Sequence, residues 1–472
     1  MNKQTKIVAT IGPASNSPEM IEKLIEAGMN VARINFSHGK LEDHRKTIEM
    51  IREVAKKLDK FVGILADTKG PEIRVGDFEN GKVTYKRGSF IKIFKKPVLG
   101  NEEGFHIPVN ELYDDIKIGD CLLIDDGRVR LTVIEKRDDH LYVEVMNSGT
   151  IKDKKGVNVP GTHITMPFIS AKDSEDIKFA VDMDVDYIAL SFVRTPGDVL
   201  SVRSILSFLN AKHIEIIAKI ESQAAMDDID AIIEVSDGIM VARGDLGVEV
   251  TNELVPLYQK IMISKAIQAG RPIITATHML ESMMSYPRPT RAETSDVANA
   301  ILDGSDAIML SGETAAGEYP VESVETMVSI AKVIEPAFDY EGILDKYFHN
   351  KQSTVNDAIG LTVSQIASTL SDVKAVVAFT ETGGTPKRLC KFRPCVPIIA
   401  VTNNRKTCTK LSCYWGVHPV YRKDYTDFLS YDRVGIEVAK ELGLKNGDKI
   451  IITSGYAQQH GSTNTIRIID VN

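Results

Sequence analysis

Short apolar runs that end in polar residues alternate along this chain with stretches whose apolar residues recur three and four apart, the signatures of buried strands and amphipathic helices. The first run covers 6–12, and Ser17-Pro18-Glu19 then opens a helix that reaches Ala27, with a capping serine before a first-turn proline. A second run, 30–37, leads into a helix over 41–58, and a third covers 62–68. After it the rhythm breaks. From 70 to 166 the chain shows short alternating runs such as GKVTYKRG, RVRLTVIEK and HLYVEVM, separated by IDDG and KRDDH turns, which predict β-hairpins and hence an inserted all-β module. The strand–helix rhythm resumes with runs at 186–193, 214–221, 238–245, 272–277 and 307–311, and with helices over 252–269, 290–302 and 320–334. Eight such units with one β insertion after the third predict a TIM (β/α)8 barrel, since a doubly wound sheet does not normally extend so far.

The tail has its own pattern. Helix 356–370, strand 375–379, strand 397–401, strand 416–421, helix 431–442 and two last strands, 449–454 and 465–469, predict a small α/β domain. The expected architecture is α/β throughout. Residues 1–69 and 167–339 form the barrel, 70–166 an inserted small β-barrel lid, and 340–472 a C-terminal α/β regulatory domain.

Composition adjusts this picture modestly. A chain of 472 residues exceeds what one core accommodates, and 43% hydrophobic with 26% charged residues is ordinary for a globular protein. A net charge of -8 repels polyanions, which argues against nucleic acid or an anionic membrane as partner. The first residues run directly into a strand pattern without a secretory leader, and no apolar run is long enough to span a bilayer, so a cytoplasmic protein is expected. Five cysteines suggest reduced thiols. Cys390/Cys395 and Cys408/Cys413 share zinc-like C-x4-C spacing, but the second pair falls in a helical pattern where that spacing chelates poorly.

In a TIM barrel the chemistry gathers at the C-terminal ends of the strands. There the sequence places Arg33, Asn35 and Ser37; Asp67 and Thr68; Lys219 and Glu221; Arg243 and Asp245; Thr275 and Thr277; and Ser311 and Glu313. Lys219 and Glu221, two apart on one strand, point to the same side. Taken singly, that pair reads as a salt bridge where strand meets solvent, Asp67 or Asp245 as a helix cap, and Arg33 as a rim ion pair. Their convergence on one rim favours chemistry. Asp67, Glu221 and Asp245 offer oxygen ligands for a hard cation such as Mg2+, while Arg33, Lys219 and Arg74 suit phosphate or carboxylate groups. Phosphoryl transfer needs such neutralisation and positioning. No Ser/His/Asp triad emerges.

The stretch IEIIAKIESQAAM at 214–226 closely resembles the pyruvate kinase active-site signature. The resemblance continues in RINFSHG (33–39), DTKGPEIR (67–74), KKGVNVPG (154–161), SDGIMVARGDLG (236–247), PRPTRAETSDVANAILDG (287–304) and IMLSGETAAGEYP (308–320). It implies transfer of the phosphoryl group of phosphoenolpyruvate to ADP, giving pyruvate and ATP. By the same resemblance Lys219 neutralises the phosphoryl group and the enolate, and Glu221 and Asp245 bind Mg2+ or Mn2+. Arg33, Gly244, Asp245 and Thr277 contact the substrate, with Thr277 a candidate in proton delivery. Asn35, Ser37, Asp67 and Thr68 hold K+, and Asn35, Arg74 and Lys155 meet the nucleotide, Lys155 from the lid. Glu72 in GPEIR goes with dependence on potassium.

The chain also departs from the family pattern. It has ATHMLESM where the family usually shows ATQMLESM, and His278 in place of Gln is expected to tune local hydrogen bonding. The turn Thr380, Glu381, Thr382, Gly383, Gly384, Thr385 is a candidate phosphate-effector site. Gly384 stands where relatives carry a basic residue, and the loop 455–464 lacks the Trp and Arg of some relatives activated by fructose bisphosphate. A homotetramer is expected from the family. The competing readings are another metal-dependent barrel acting on phosphoenolpyruvate or pyruvate, such as an aldolase or dikinase-like barrel, and a non-catalytic metabolite-binding regulator.

Overall fold

The computed structural model describes residues 3–349, 354–423, 430–455 and 463–472. Its centre is a closed barrel of eight parallel strands, Lys6–Thr10, Val31–Asn35, Gly63–Asp67, Tyr187–Val193, Glu215–Ile220, Gly238–Ala242, Ile273–Ala276 and Ala307–Leu310, in chain order around the ring. The closing seam pairs the first strand with the eighth. Alternation builds two cores from one strand. Val8 joins Val31, Leu65, Ile217, Met240 and Ile274 in the barrel interior, while its neighbours Ile7 and Ala9 join the outer core under the helices. Burial on both faces explains why the strands read as unbroken apolar runs.

The N-terminal ends of the strands carry a repeated device. Asn30, Asp186, Asp237 and Asp306, each immediately before or at a strand's start, accept from the backbone N–H of Ile7, Ile64, Ile216 and Ile273 at 3.0, 2.8, 2.9 and 3.0 Å. Each satisfies an amide on a neighbouring strand. The C-terminal domain docks on this face. Lys406 lies 3.2 Å from Asp186, Arg393 pairs with Asp306 at 2.8 and 3.0 Å, and Tyr414 donates to Glu215 at 2.9 Å. Cys413 packs in the barrel's interior cluster and plugs its base. The docking domain is built on a five-stranded sheet in the order Val417–Tyr421, Ile398–Thr402, Val373–Phe379, Lys449–Ser454, Thr465–Asp470, with only the last pair antiparallel.

Between the third and fourth barrel strands, the inserted module folds as a seven-stranded sheet with a two-stranded companion around its own core. Gly76 N–H donates to His106 O at 2.8 Å and draws the two edges of the larger sheet together. The module also contains one helix, Asn110–Asp115, which the alternating pattern did not predict. The cysteines lie in separate surroundings: Cys408 is in the helix Arg405–Lys410, and Cys413 lies beyond that helix's end. Among the described residues no helix is long and apolar enough to cross a membrane.

Candidate active site

At the C-terminal face of the barrel, four side chains from three strands form one buried chain of charge. Arg33 Nε lies 2.7 Å from Asp67 Oδ2, Asp67 Oδ1 lies 3.4 Å from Lys219 Nζ, and Lys219 Nζ lies 2.9 Å from Glu221 Oε1. Asp67 ends the third strand, Arg33 lies two residues before the end of the neighbouring second strand, and Lys219 is the penultimate residue of the fifth. Burial works against the Lys219 charge, but Asp67, Glu221 and Asp245 outweigh it and hold the ammonium above its usual range. Burial likewise opposes the Asp67 carboxylate, and Lys219 and Arg33 reverse the balance and lower its pKa. Glu221 goes the other way. Burial, reinforced by Asp245 and resisted by Lys219, pushes it up to about 7.

The fourth strand supplies two residues that the sequence reading passed over. Ser191 accepts from Lys219 at 2.7 Å and donates to Thr68 O at 2.7 Å. Phe192 adopts a left-handed φ of 57° and its N–H donates to Glu221 Oε2 at 2.6 Å. That conformation is costly for a bulky residue and clusters at functional sites. The one polar residue inside ALSFV was the available signal for Ser191.

On the sixth and seventh strands a second constellation forms. Thr277 and His278 both have left-handed φ, 69° and 54°. Thr277 Oγ1 accepts from Gly244 N at 2.8 Å and donates to Ala276 O, while Arg243 grips the Thr277 carbonyl at 2.7 Å and Asp296 at 2.7 Å. The N–H of Gly244, a residue expected to contact the substrate, is thus engaged by Thr277. His278 is exposed, adopts a left-handed backbone that His tolerates, and makes no hydrogen bond among the described residues. A cleft of about 270 Å³ opens beside this, between lid residues such as Asp126 and Asn158 and barrel residues such as Phe192, Ser222 and Asp245.

The remaining candidates fall into four groups. Arg74 is bound within the lid to Glu72 at 2.7 Å and to Lys154 O at 2.7 Å, and Lys155 lies 2.7 Å from Asp125. Asn35 sits in register with Asp67 and accepts from Ser37 N–H at 3.1 Å, while Thr68 Oγ1 donates to Ala189 O at 3.3 Å. Thr275 and Glu313 serve the scaffold. Thr275 shares a 2.7 Å hydrogen bond with Ser305, and Glu313 accepts from the N–H groups of Leu280 and Ser311 at 3.1 and 2.8 Å. The turn 380–385 is remote, in the C-terminal domain. Gly383 N–H donates to Thr380 Oγ1 at 2.9 Å, Thr385 meets Thr463 at 2.7 Å, and the Arg388 guanidinium packs 3.6 Å from where a Gly384 Cβ would stand. Of the loop 455–464, residues 456–462 lie outside the described residues.

The donor set suits a hard cation. Glu221 Oε1 is buried without a hydrogen bond, its contact with Lys219 being angled outside hydrogen-bond geometry, and Asp245 makes no hydrogen bond among the described residues. A cation shared by the two carboxylates would relieve their mutual repulsion. Asp67 does not complete a triad with them, because Arg33 holds it; no cluster of three ligating side chains forms among the described residues. The close Lys219–Glu221 pair anticipated as the plain structural reading does form, yet Glu221 still feels Asp245.

Comparison with known proteins gives the family. Residues 2–324 match the family model for the pyruvate kinase barrel domain, and 357–469 match that for the pyruvate kinase α/β domain. A pyruvate kinase of Bacillus licheniformis is 49% identical over 469 residues, covering 99% of this chain and 80% of the relative. Those of Geobacillus stearothermophilus and Staphylococcus aureus (strain MRSA252) are each 48% identical, with the same coverage.

Proposed function

The chain belongs to the pyruvate kinase family and is a phosphotransferase that moves the phosphoryl group of phosphoenolpyruvate to ADP, and from that premise we propose how its residues divide the work. The carrying observation is Lys219, a buried ammonium set between Asp67 and Glu221 at the C-terminal face of the barrel. It neutralises the phosphoryl oxygens in transit and then the enolate oxygen left behind. Because Asp67 and Ser191 hold the amine before substrate arrives, little reorganisation is needed when charge develops.

Glu221 and Asp245 would hold a divalent cation, Mg2+ or Mn2+, which supplies further neutralisation of phosphoryl and enolate charge. Arg33, Gly244, Asp245 and Thr277 orient phosphoenolpyruvate, and the Thr277 hydroxyl is placed to take part in delivering a proton to the enolate. Asn35, Ser37, Asp67 and Thr68 are an all-oxygen set for K+. Arg74 and Lys155 on the lid, with Asn35 on the barrel, would meet the nucleotide phosphates, the two cations by exchanging their present carboxylate partners for them. The turn 380–385 would take a phosphorylated effector, with Arg388 supplying the cation that Gly384 lacks. We infer a cytoplasmic homotetramer under allosteric control.

A coupled assay with phosphoenolpyruvate, ADP and Mg2+, run in potassium and in potassium-free buffer, tests this reading. Activity is expected to require ADP and to rise with K+, and equal rates in the two buffers would refute the cation assignment. Repeating it at sub-saturating phosphoenolpyruvate with sugar monophosphates, bisphosphates and nucleotides tests the effector turn.

A further inference from the structure

The lid is tied to the barrel at its two covalent crossings and at one further place. At the entry, Gly70 N–H donates to Asp173 Oδ1 at 3.0 Å. At the exit, Arg194 donates to Ile164 O and Met166 O at 2.8 and 3.1 Å. These contacts lie on the hinge itself, so they fix where the lid pivots without fixing how far it turns. Away from the crossings, a single side-chain hydrogen bond joins lid to barrel among the described residues: Asn158 Nδ2 donates to Glu249 Oε1 at 2.7 Å. Both residues line the cleft.

Their positions in the chain give this bond leverage. Asn158 ends the lid strand Gly156–Asn158, which begins one residue after Lys155. Glu249 ends the helix Arg243–Glu249, whose first turn carries Gly244 and Asp245. One hydrogen bond therefore sets the distance between the lid's nucleotide-facing lysine and the barrel's metal-facing carboxylate. We propose that Asn158 and Glu249 form a latch that registers the lid against the helix Arg243–Glu249, which makes them positioning residues for nucleotide use. The inference rests on the roles given above to Lys155 and Asp245.

The test uses the full chain with Asn158→Ala, Glu249→Ala and Glu249→Gln, the last keeping an acceptor while removing the charge. Steady-state kinetics is combined with hydrogen exchange over 156–158 and 243–249. The alanine variants are expected to exchange faster in both segments and to raise KM for ADP roughly fivefold, with kcat and KM for phosphoenolpyruvate within about twofold of the parent. Glu249→Gln should restore both readouts. Unchanged exchange in the alanine variants overturns the latch, and so does a Gln variant as impaired as the Ala variant, since charge rather than the hydrogen bond would then matter. Faster exchange with an unchanged KM for ADP upholds the latch and instead refutes the nucleotide role of Lys155.

Discussion

The two ends of the barrel carry the same kinds of residue and use them in opposite ways. At the N-terminal face every carboxylate of the docking interface is committed: Asp306 accepts from Ile273 N–H and pairs with Arg393, and Asp186 accepts from Ile64 N–H and meets Lys406 and Thr409. At the C-terminal face Lys219 is shared among three carboxylates, Glu221 Oε1 lacks a hydrogen bond, and Asp245 has no hydrogen-bond partner among the described residues. The backbone tells the same story. Left-handed residues near the base are Asp59, Asp184 and Asn210, which end helices and tolerate that conformation, whereas those at the top are Phe192, Thr277 and His278. A charge that is fully answered holds a fold together, and one left under-answered is available to a ligand.

If this contrast is sound, a mutation at the top should abolish turnover, whereas one at the base should cost stability and leave turnover intact. The largest effect is expected from Lys219→Met, which should lower kcat by about a thousandfold or more, the scale for removing a preorganised electrostatic group. Thermal unfolding should also come earlier, because the substitution leaves Asp67 and Glu221 buried without the cation between them. Retained turnover would disprove the role given to Lys219. At the other end Arg393→Met leaves Asp306 buried without its cation and should cost about 3–5 kcal/mol in denaturant unfolding. The fraction that remains folded should turn over at the parental kcat. Loss of kcat without loss of stability there would break the comparison.

A smaller effect sharpens the upper end. Thr277→Val keeps the branched shape at a φ of 69° and deletes the hydroxyl that accepts from Gly244 N–H, donates to Ala276 O and is the proton-delivery candidate. Losing the hydroxyl should lower kcat about tenfold to a hundredfold, and Thr277→Ser should recover most of it. Equal rates for Val and Ser would show that the backbone conformation, not the hydroxyl, is what matters.

The sequence made the upper face far more legible than the lower one. Strands buried on both faces that end in polar residues announce themselves, so Lys219, Glu221 and Asp245 could be placed on one rim from period and order alone. Ser191 escaped because a single polar residue inside the apolar run ALSFV is a faint signal, and Phe192 because a backbone angle leaves no mark on composition. Glu313 and Thr275 looked like rim chemistry, yet their partners are backbone amides and Ser305, which only packing reveals. The base was nearly invisible. Asp306 and Arg393 are 87 residues apart in different domains, and nothing local distinguishes an aspartate that caps a neighbouring strand from one that starts a loop.

The smallest predicted effect probes that base through pH. Lys6 is buried where the first strand meets the C-terminal domain, and its ammonium donates to Val417 O. Burial lowers its pKa from 10.5 to about 8, although Cys390, Glu335, Cys413 and Asp306 around it act in the opposite direction. Below about 8 the group is protonated in both folded and unfolded chains, and the buried charge is a cost to the fold. Between about 8 and 10.5 the unfolded chain holds the proton that the folded chain has released, so this group makes stability rise with pH across that window. Lys6→Met abolishes that titration. The stability difference between parent and variant, read from urea midpoints at pH 7.5 and 10, should therefore shift in the parent's favour at the higher pH. A difference that stays constant would mean that Lys6 is paired at the base as fully as Arg393 and pays no net penalty for its charge.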